Sequence, residues 1–368
     1  MVDVNVAFVT NRRFWNYTYV AIYSLLEHGN SFRNYRIYII SEDYDSKKEK
    51  QLKLIENKNK NVCFKHIDPS DLFDGYDFFV LGHFSKETYY RLAIHNLIPE
   101  LDKVLYLDSD IIVNHDVSEL YDVDLGKNLV GACLDPDTAG LYNGYQPDKK
   151  EYMDLVLKLK NPYLYFQAGV LLMNLSEFRR MYTAKEILDY SVSQKFQLLD
   201  QDVLNCLCEG SVKCVDMSWN VMVDFSGIRR SKIISRAPQN LIDMYDKARK
   251  SQKIIHYAGP EKPWHYPEMD MAGEFWSVAR QTVVYESILW NMAQHAADEI
   301  YRYRILIDKK PIKKILETIR KATLHIIPSD NPLRAGMRNA IKKLVGIDRQ
   351  EKRVCKIDWV PKIPDIYR

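Results

Sequence analysis

The sequence predicts an α/β fold in which a parallel or mixed central sheet is covered by helices on both faces. Through the first half of the chain, short apolar runs typical of buried strands alternate with segments whose apolar residues recur at helical spacing. This alternation favours strands joined by helices that pack against the two faces of the sheet. At 368 residues the chain is long enough for one large domain and an appendage.

Each predicted element follows from such a run. The predicted strands, each a short apolar run, are 4–10, 35–40, 62–67, 104–107, 129–134, 165–174 and 254–255. The predicted helices are 15–26, 46–57, 88–97 and 176–192. Ser176 is a candidate N-cap for the last of these, and Asp200-Gln201-Asp202 is predicted to precede a further short apolar helix.

Two aspartates stand at the end of the strand predicted at 104–107. Residues 102–116 read D-K-V-L-Y-L-D-S-D-I-I-V-N-H-D, so an apolar run delivers Asp108 and Asp110 where the strand gives way to a turn. Ligands of open α/β sheets bind beyond the carboxyl ends of the strands. Paired carboxylates at such an edge need a cation, and oxygen ligands suit Mg2+ or Mn2+ with a substrate phosphate. The alternative is a solvated turn, because D-x-D also occurs by chance.

A second segment, residues 256–264, supplies further groups that such a site needs. It reads H-Y-A-G-P-E-K-P-W and emerges from a short apolar strand into a Gly-Pro turn. A neutral imidazole at His256 can ligate a metal. Gly259 lets the backbone approach a phosphate closely, and Lys262 can neutralise that phosphate. The alternative is a surface turn with a packed Trp264.

Other functional classes lack their sequence motifs. The chain contains no G-x-G-x-x-G after the first strand, which disfavours a dinucleotide oxidoreductase, and neither a P-loop nor G-x-S-x-G. No RNA- or DNA-binding motif is present, so nucleic acid is not an expected partner. The six cysteines form no C-x-x-C pair, which predicts reduced thiols in a cytoplasmic protein. A basic leader, a signal-type apolar core and a bilayer-spanning run are all missing.

Six segments in order resemble glycosyltransferase family 8, which includes bacterial lipopolysaccharide α-galactosyl- and α-glucosyltransferases and, more distantly, glycogenin. The segments are the first strand with its loop, Y-Y-R-L at 89–92, L-Y-L-D-S-D at 105–110, F-Q-A-G-V-L-L-M-N at 166–174, D-Q-D at 200–202 and H-Y-A-G-P-E-K-P-W at 256–264. The resemblance covers roughly residues 4–280. It implies the GT-A fold, in which a mixed, mostly parallel nucleotide-binding sheet merges with an acceptor-binding part.

The resemblance also implies a role for individual residues. Asp108, Asp110 and His256 would coordinate Mn2+ or Mg2+, which would bridge the diphosphate of a UDP-sugar. The donor-binding residues would be Val9, Asn11, Phe14, Arg91, Asp108, Asp135, Gln167, Gly259 and Lys262. Asp200 and Gln201 would lie beside the anomeric carbon, and His83 would lie towards the acceptor.

Several of these residues have structural alternatives. Arg91 could be an ordinary helix-surface arginine, Phe14 a core residue and Asp135 a turn residue. Asp200 could also cap the following helix, and for Asp202 capping is the preferred interpretation. The chain also departs from the family pattern: it reads N-R-R at 11–13, where members often have aspartate and asparagine. It reads Q-A-G-V at 167–170, where lipopolysaccharide-type members usually have N-A-G-V, so glucose and galactose both stay open as the donor sugar.

The resemblance predicts a retaining, metal-dependent hexosyltransferase acting on a glycan or glycolipid of the bacterial cell envelope. Retention requires either a covalent nucleophile or front-face attack within an ion pair. Gln201 is a poor nucleophile and Asp200 a chemically better one, and front-face attack is the favoured interpretation. Two alternatives stay open: a catalytically inactive nucleotide-sugar-binding module, and transfer to a protein-linked glycan.

The C-terminal part differs in charge from the rest. Two divisions are predicted: a GT-A catalytic domain over 1–280 and a basic, partly helical extension over 281–368. Within the catalytic domain, the nucleotide-sugar-binding half is about 1–135 and the acceptor-side half about 136–280. Residues 301–368 hold 18 Lys or Arg against 7 Asp or Glu. Basic amphipathic helices there could bind an anionic membrane, which predicts a peripheral location on the inner face of the plasma membrane. A solvated helical face or a nucleic-acid contact are the alternatives.

Overall fold

The computed structural model describes residues 3–80 and 85–301. One compact unit extends through Ile288, and a second begins at Leu289. Within the second unit, residues 289–301 are helical. The predictions for His83 and for the membrane-binding extension beyond residue 301 lie outside the described residues, and the domain boundary at residue 280 stays a prediction.

Ten strands lie within the described ranges and form two sheets. They are β1 (Asp3–Val9), β2 (Asn34–Ile40), β3 (Val62–Ile67), β4 (Lys103–Leu107), β5 (Ile111–Val113), β6 (Val130–Leu134), β7 (Phe166–Asn174), β8 (Val212–Cys214), β9 (Val221–Met222) and β10 (Ile254–His256). The large sheet has the order β3-β2-β1-β4-β7-β6-β8, and the small sheet has the order β5-β10-β9. In the large sheet β7 runs antiparallel to β4 and β6, while the other neighbouring pairs are parallel. The predicted mixed, mostly parallel sheet is confirmed.

The aspartate pair lies where the chain passes from one sheet to the other. β4 belongs to the large sheet and β5 to the small one, so residues 108–110 form the crossing. β10 pairs antiparallel with β5, with His256 opposite Ile111. The backbone N–H of Tyr257 donates to the carbonyl of Asp110 at 3.0 Å. This long-range pairing brings His256 beside the two aspartates.

Helices cover the sheet on both sides. Besides the helical residues within 285–301, the α-helices are Trp15–Glu27, Ser46–Lys58, Ser70–Phe73, Ile94–Leu97, Ser118–Tyr121, Pro136–Gly140, Pro147–Tyr152, Leu175–Met181, Ala184–Val192, Leu199–Leu207, Gln239–Ala248 and Ala272–Ala279. Shorter 3-10 and π-helical turns are Lys86–Ala93, Leu141–Tyr145, Met153–Leu157, Pro162–Leu164, Met217–Trp219, Arg229–Ile233 and Ile234–Arg236. None of the helices in the described ranges is both long and apolar enough to cross a bilayer.

Side chains of β1 alternate between two buried clusters. Val6 and Phe8 belong to the cluster that also contains the apolar face of the helix Trp15–Glu27. Ala7 and Val9 belong to the cluster that contains the apolar side chains of Leu199–Leu207. Because successive strand residues point to opposite faces, both faces of the sheet are buried, as the strand–helix alternation predicted.

Three helix predictions need correction. Residues 88–97 form a 3-10 helix, Lys86–Ala93, followed by the α-helix Ile94–Leu97, and 176–192 divides into Leu175–Met181 and Ala184–Val192. A capping box starts the last helix, because the Thr183 hydroxyl accepts from the Glu186 N–H while the Glu186 side chain accepts from Thr183. Asn174, not Ser176, caps the helix before it. Residues 200–202 lie inside the first turn of Leu199–Leu207 rather than before it.

Candidate active site

A cavity of about 360 Å3 lies at the carboxyl ends of β1 and β4. Every predicted site residue among the described residues lines it, and His83 lies outside that set. The lining residues that the sequence singled out are Val9, Asn11, Phe14, Arg91, Asp108, Asp110, Asp135, Gln167, Asp200, Gln201, His256, Gly259 and Lys262. Residues from the first loop to residue 262 therefore converge on one cavity.

Three potential metal ligands share one wall of this cavity. One atom each of Asp108, Asp110 and His256 lies within 4.8 Å of the other two. The Nε2 atom of His256 is 3.3 Å from Oδ1 of Asp110 and 3.7 Å from Oδ2 of Asp108. Two carboxylate oxygens and an imidazole nitrogen at this spacing suit a divalent cation such as Mn2+.

Each aspartate uses only one oxygen for protein contacts. Oδ1 of Asp108 accepts from Arg91 at 2.9 Å and from the Tyr106 hydroxyl at 2.6 Å, so Oδ2 faces His256. Oδ2 of Asp110 accepts from Lys262, and its Oδ1 faces His256. Burial alone would raise the pKa of Asp110, but Lys262 and His256 outweigh it and hold that pKa well below its usual range. Asp110 is therefore ionised at neutral pH.

Gly169 leaves the space that a cation would need. A Cβ atom added at this position would lie 2.3 Å from Cε1 of His256 and 2.7 Å from Oδ2 of Asp108. Any larger side chain would fill the gap between the two ligands. The backbone carbonyl of Gly169 also accepts from the N–H of Asp108 at 2.8 Å, which fixes the position of the Asp108 backbone. The ligand set and the space beside it fit a bound divalent cation.

Arg91 is a buried hub between two carboxylates. Its Nη2 atom is 2.9 Å from Asp108, its Nε atom is 3.0 Å from Asp200, and Nη1 donates to the carbonyl of Ala168 at 2.7 Å. Burial disfavours its charged form, but Asp108 and Asp200 raise the pKa of Arg91 above its usual value, so the guanidinium stays charged. The interpretation of Arg91 as a surface residue is wrong, since it is 7% exposed.

Asp200 is fully engaged within the protein. Its Oδ1 accepts from the Thr88 hydroxyl at 2.5 Å, and its Oδ2 pairs with Arg91. Burial raises the pKa of Asp200 to about 6, with Asp108 adding to the rise and Arg91 and Thr88 opposing it. Capping of the following helix is not its role, because Leu198 occupies the N-cap position.

Gln201 and Asp135 close the adjacent wall. Oε1 of Gln201 accepts from the N–H of Ala168 at 2.9 Å, and its Nε2 donates to Asp135 at 3.1 Å. Asp135 caps the helix Pro136–Gly140 by accepting from Thr138. Asp135 thus has the structural role expected of a turn residue and lines the cavity as well.

Asp202 is not an N-cap. It is fully buried within the first turn of its helix. Its carboxylate accepts from the hydroxyls of Tyr152 and Tyr165 at 2.7 and 2.6 Å, and from the N–H of Leu198 at 2.7 Å. Asp202 therefore ties the start of the helix to two tyrosines behind the cavity wall.

The loop after β1 supplies another part of the cavity lining. Oδ1 of Asn11 accepts from the N–H groups of Arg13 and Phe14 at 3.0 and 3.1 Å, which turns the chain into the following helix. Phe14 is half-buried, and its ring makes an edge contact with Trp264 at 6.3 Å between centroids. Phe14 both packs on the core and lines the cavity, so the two interpretations of this residue are compatible.

The segment 256–264 is anchored from both sides. Gly259 has a φ of +98°, in the region that favours glycine. Lys262 is buried and donates to the carbonyl of Tyr257 at 2.8 Å. Trp264 stacks on Tyr17 with ring centroids 3.6 Å apart. The alternative of a surface turn with a packed tryptophan is right about Trp264 and wrong about Lys262.

Comparison with known proteins identifies the family. The profile described as "Glycosyl transferase family 8" matches residues 5–268. The chain belongs to glycosyltransferase family 8. Membership confirms the predicted enzyme class, a retaining glycosyltransferase, and the solved structures that it resembles confirm the GT-A fold.

Several relatives and structures illustrate the likeness. This family 8 chain is 27% identical over 269 residues to a lipopolysaccharide 1,2-glucosyltransferase of Escherichia coli K12, covering 71% of this chain and 73% of the relative. It is 27% identical over 269 residues to the glycosyltransferase GlyF of Streptococcus pneumoniae, covering 70% of this chain and 56% of GlyF. Among solved structures, the WbbM bifunctional glycosyltransferase superposes with a TM-score of 0.71 at 27% identity, covering 79% of this chain. The chain spans only about half, 52%, of that larger protein.

A further structure was determined with donor and acceptor sugar analogues. The galactosyltransferase LgtC in that complex superposes with a TM-score of 0.62 at 26% identity, covering 76% of this chain and 96% of LgtC. The likeness therefore extends over nearly all of LgtC.

Two residues of the site escaped sequence reasoning. Asn220 is buried and contacts His256, and Arg229 pairs with Asp137 and donates to the carbonyl of Ala258 at 2.8 Å. Burial raises the pKa of Asp137 to about 7, although Arg229 opposes the rise. Neither Asn220 nor Arg229 belongs to a recognisable motif: Arg229 lines the cavity, and Asn220 contacts the lining residues Gln167 and His256.

Proposed function

We propose that this chain transfers a hexose, glucose or galactose, from a UDP-sugar to a glycan or glycolipid acceptor, and that transfer depends on a divalent metal. The observation that carries the proposal is the set of three acceptor atoms on one cavity wall. Asp108 and Asp110 offer one oxygen each and His256 offers Nε2, all within 4.8 Å of one another. Such a set suits Mn2+ or Mg2+ bound together with a diphosphate.

Lys262 and the backbone at Gly259 would stabilise the departing UDP. The ammonium of Lys262 is buried and held by a backbone carbonyl, so its charge needs little reorganisation when negative charge develops on the diphosphate. The positive φ of Gly259 allows the chain to pass close to a phosphate. A divalent ion held by Asp108, Asp110 and His256 supplies Lewis-acid stabilisation of the same leaving group when it is bound.

The remaining cavity residues would bind the rest of the donor. We assign the uridine to the first loop and the sugar to the wall around Arg91, in line with the family resemblance. The proposed uridine contacts are Val9, Asn11 and Phe14, with Phe14 stacking on the base, and the proposed sugar contacts are Arg91, Asp108, Asp135 and Gln167. Gln201 and Asp200 would lie beside the anomeric carbon.

Front-face attack is the mechanism that the contacts favour. Both oxygens of Asp200 accept bonds within the protein, from Thr88 and from Arg91. A nucleophilic carboxylate would have to leave those partners, and the amide of Gln201 has little basicity. The role proposed for Asp200 is a fixed negative charge beside an oxocarbenium-like sugar, while a β-phosphate oxygen takes the proton of the acceptor.

The acceptor is proposed from the relatives. A protein of E. coli in the comparison is named a lipopolysaccharide 1,2-glucosyltransferase, so we propose a glycan or glycolipid of the bacterial envelope for this chain as well. The 18 basic against 7 acidic residues of 301–368 support contact with an anionic membrane surface on its cytoplasmic side. Sedimentation with anionic but not neutral vesicles is the expected result, and removal of 302–368 should abolish it.

The direct test is UDP release from UDP-glucose and UDP-galactose, with and without Mn2+. Slow hydrolysis without acceptor is expected with one or both donors, and chelation should stop it. Asp154→Asn is a matched control, because Asp154 is exposed, pairs with Lys150 and does not line the cavity. Tight binding of UDP-sugar with no turnover under any condition would instead indicate a catalytically inactive module.

A further inference from the structure

We infer that Asn220 is a positioning residue that sets which nitrogen of His256 carries a proton and which end of Gln167 faces the cavity. The inference rests on the proposed function of the site, because it names how that site is held ready for a cation and a sugar. It concerns four groups joined by hydrogen bonds: the backbone N–H of Gly169, then the side chains of Gln167, Asn220 and His256.

The four groups form a continuous line of hydrogen bonds. The N–H of Gly169 donates to Oε1 of Gln167 at 2.5 Å. Nδ2 of Asn220 donates to the same Oε1 at 2.6 Å. Oδ1 of Asn220 lies 2.9 Å from Nδ1 of His256. Asn220, Gln167 and His256 are each less than 10% exposed, so water does not compete freely for these bonds.

The backbone N–H of Gly169 determines which group donates and which accepts in each of these hydrogen bonds. An N–H of the main chain can only donate, so the atom of Gln167 that faces Gly169 must be its carbonyl oxygen. That oxygen also faces Asn220, which must then present its NH2 group. The other end of the Asn220 amide is therefore its oxygen, and this oxygen faces His256. Neither amide can be reversed without placing two donors or two acceptors against each other.

The consequence for His256 is a defined tautomer. An amide oxygen accepts only, so Nδ1 of His256 must carry a proton. In the neutral imidazole Nε2 is then the atom with the free lone pair, and Nε2 is the atom that faces Asp108 and Asp110. Histidines that bind metals usually have their other nitrogen held in this way, which orients the ring and fixes the tautomer.

For Gln167, the consequence is that only its NH2 group can contact the donor sugar. Its Oε1 accepts two bonds within the protein, which occupies both lone pairs. Only the NH2 group is left for the cavity that Gln167 lines. A donor-sugar hydroxyl at this position must therefore accept a hydrogen bond from the enzyme. The chemical class of ligand that this point favours is an uncharged hydroxyl or a carboxylate, and not an ammonium group.

Asn220 reaches this position through the small sheet. It follows the turn Met217–Trp219 and directly precedes β9, which pairs in parallel with β10. Met222 lies opposite His256 in that pairing. The strand pairing therefore carries Asn220 to the side of the imidazole ring that faces away from Asp108 and Asp110.

Long-range 1H–15N NMR of the full chain, recorded without metal, reads the tautomer directly. His256→Gln identifies the His256 signals by their loss. The expected spectrum has a protonated Nδ1 and a pyridine-like Nε2 for the neutral ring in the unmodified chain. Observation of the neutral ring protonated on Nε2 would overturn the inference, whatever the metal affinity is.

Two substitutions then separate the two consequences. Asn220→Ala removes both bonds and should weaken Mn2+ binding in the presence of UDP by about 10- to 100-fold. Asn220→Asp keeps an acceptor for Nδ1 and should retain Mn2+ affinity within about threefold. It places a carboxylate against Oε1 of Gln167, so its KM for the UDP-sugar should rise while its affinity for UDP is unchanged. Asn128→Ala, which alters an asparagine outside the cavity, is the control.

Circular dichroism and thermal melting establish that each variant is folded. A folded Asn220→Ala that binds Mn2+ as tightly as the unmodified chain would overturn the inference, and so would an Asn220→Asp variant that loses Mn2+ affinity as Asn220→Ala does. Failure of the unmodified chain to bind Mn2+ would instead overturn the proposed metal site, and the NMR tautomer would still decide the role of Asn220.

Discussion

Two adjoining parts of the cavity, one at each side of Arg91 and called its two ends here, differ in how their carboxylates are bonded. At the end formed by Asp108, Asp110 and His256, each group spends one atom on protein contacts and turns another towards the shared gap. At the end around Asp200, both carboxylate oxygens accept from Thr88 and Arg91. The first end has acceptor atoms left for a ligand. At the second end, both carboxylate oxygens of Asp200 already accept from protein groups.

This difference indicates that the first end binds a cation, whereas the second end holds a fixed charge in position. Nε2 of His256 lies 3.3 Å from Oδ1 of Asp110 and 3.7 Å from Oδ2 of Asp108, so a single cation can contact all three acceptor atoms. A carboxylate that already holds two donors presents a fixed charge and resists becoming a nucleophile. We expect substitutions at the first end to remove metal-dependent activity, and substitutions at the second to change stability and the pH response.

The largest effect is expected at Asp110. Asp110→Asn preserves the shape of the side chain but removes the charge and one ligand oxygen, so transfer should fall by at least about 1000-fold. UDP release with UDP-glucose and UDP-galactose measures it, with Asp154→Asn as the control. Activity within tenfold of the unmodified chain, at saturating Mn2+, would mean that this end is not the metal site.

Arg91→Met tests the ion-pair network of Arg91 with Asp108 and Asp200. It leaves the buried Asp200 and the half-buried Asp108 without their cation, which should destabilise the fold by about 3–5 kcal/mol. The free energy of unfolding from urea denaturation measures the effect. Arg180→Met is the matched control: Arg180 is exposed and pairs with the half-buried Glu177, so a change within about 1 kcal/mol is expected. Equal losses in the two variants would contradict the buried network.

Asp200 should make stability depend on pH in a defined direction. Its pKa is raised from 3.8 to about 6, so the folded state binds a proton more tightly than the unfolded state. The resulting contribution is fully present below about pH 4 and is lost as pH rises through 6, by up to about 3 kcal/mol.

Asp200→Asn removes that titration. The difference in unfolding free energy between the unmodified chain and Asp200→Asn should therefore change across pH 4–6 and be constant at higher pH. A difference that is the same at all pH values would show that Asp200 does not titrate in this range. Mass spectrometry of the unmodified chain with donor should find no glycosyl adduct on Asp200; a trapped adduct would overturn front-face attack.

The smallest expected effect is at Gly169. Gly169→Ala places a Cβ between His256 and Asp108, so these ligands must move apart and Mn2+ affinity should fall by about 10-fold or more. Gly273→Ala is the control, because no atom lies within 4 Å of a Cβ added there. Isothermal titration with Mn2+ and UDP measures both variants. Unchanged affinity in Gly169→Ala would mean that the cation is held elsewhere.

The sequence predicted the sheet, and it singled out the three residues that meet on one cavity wall, because their signals are local. Apolar runs mark the buried strands, and D-x-D followed much later by a histidine at a strand end marks the metal candidates. The break between the helices Leu175–Met181 and Ala184–Val192 also had a local signal, the T-A-K-E of a capping box, although helical periodicity across it predicted one helix.

What the sequence could not predict depends on contacts between distant segments. The pairing of β10 with β5 joins residues more than a hundred positions apart, and no local pattern specifies it. Arg91 becomes a hub only when the turn that carries it packs against Asp108 and Asp200. Asn220 has no motif at all, and its contact with His256 follows from the register of β9 on β10.

The central claim is that Asp108, Asp110 and His256 hold a divalent cation against the diphosphate of UDP. Pulsed electron paramagnetic resonance of Mn2+ bound to the chain with UDP tests it most directly. We predict a 14N coupling from one imidazole together with 31P coupling, and in His256→Gln the 14N coupling should vanish while the 31P coupling persists. A 14N coupling unchanged in His256→Gln, or the absence of 31P coupling in the unmodified chain, would contradict the claim.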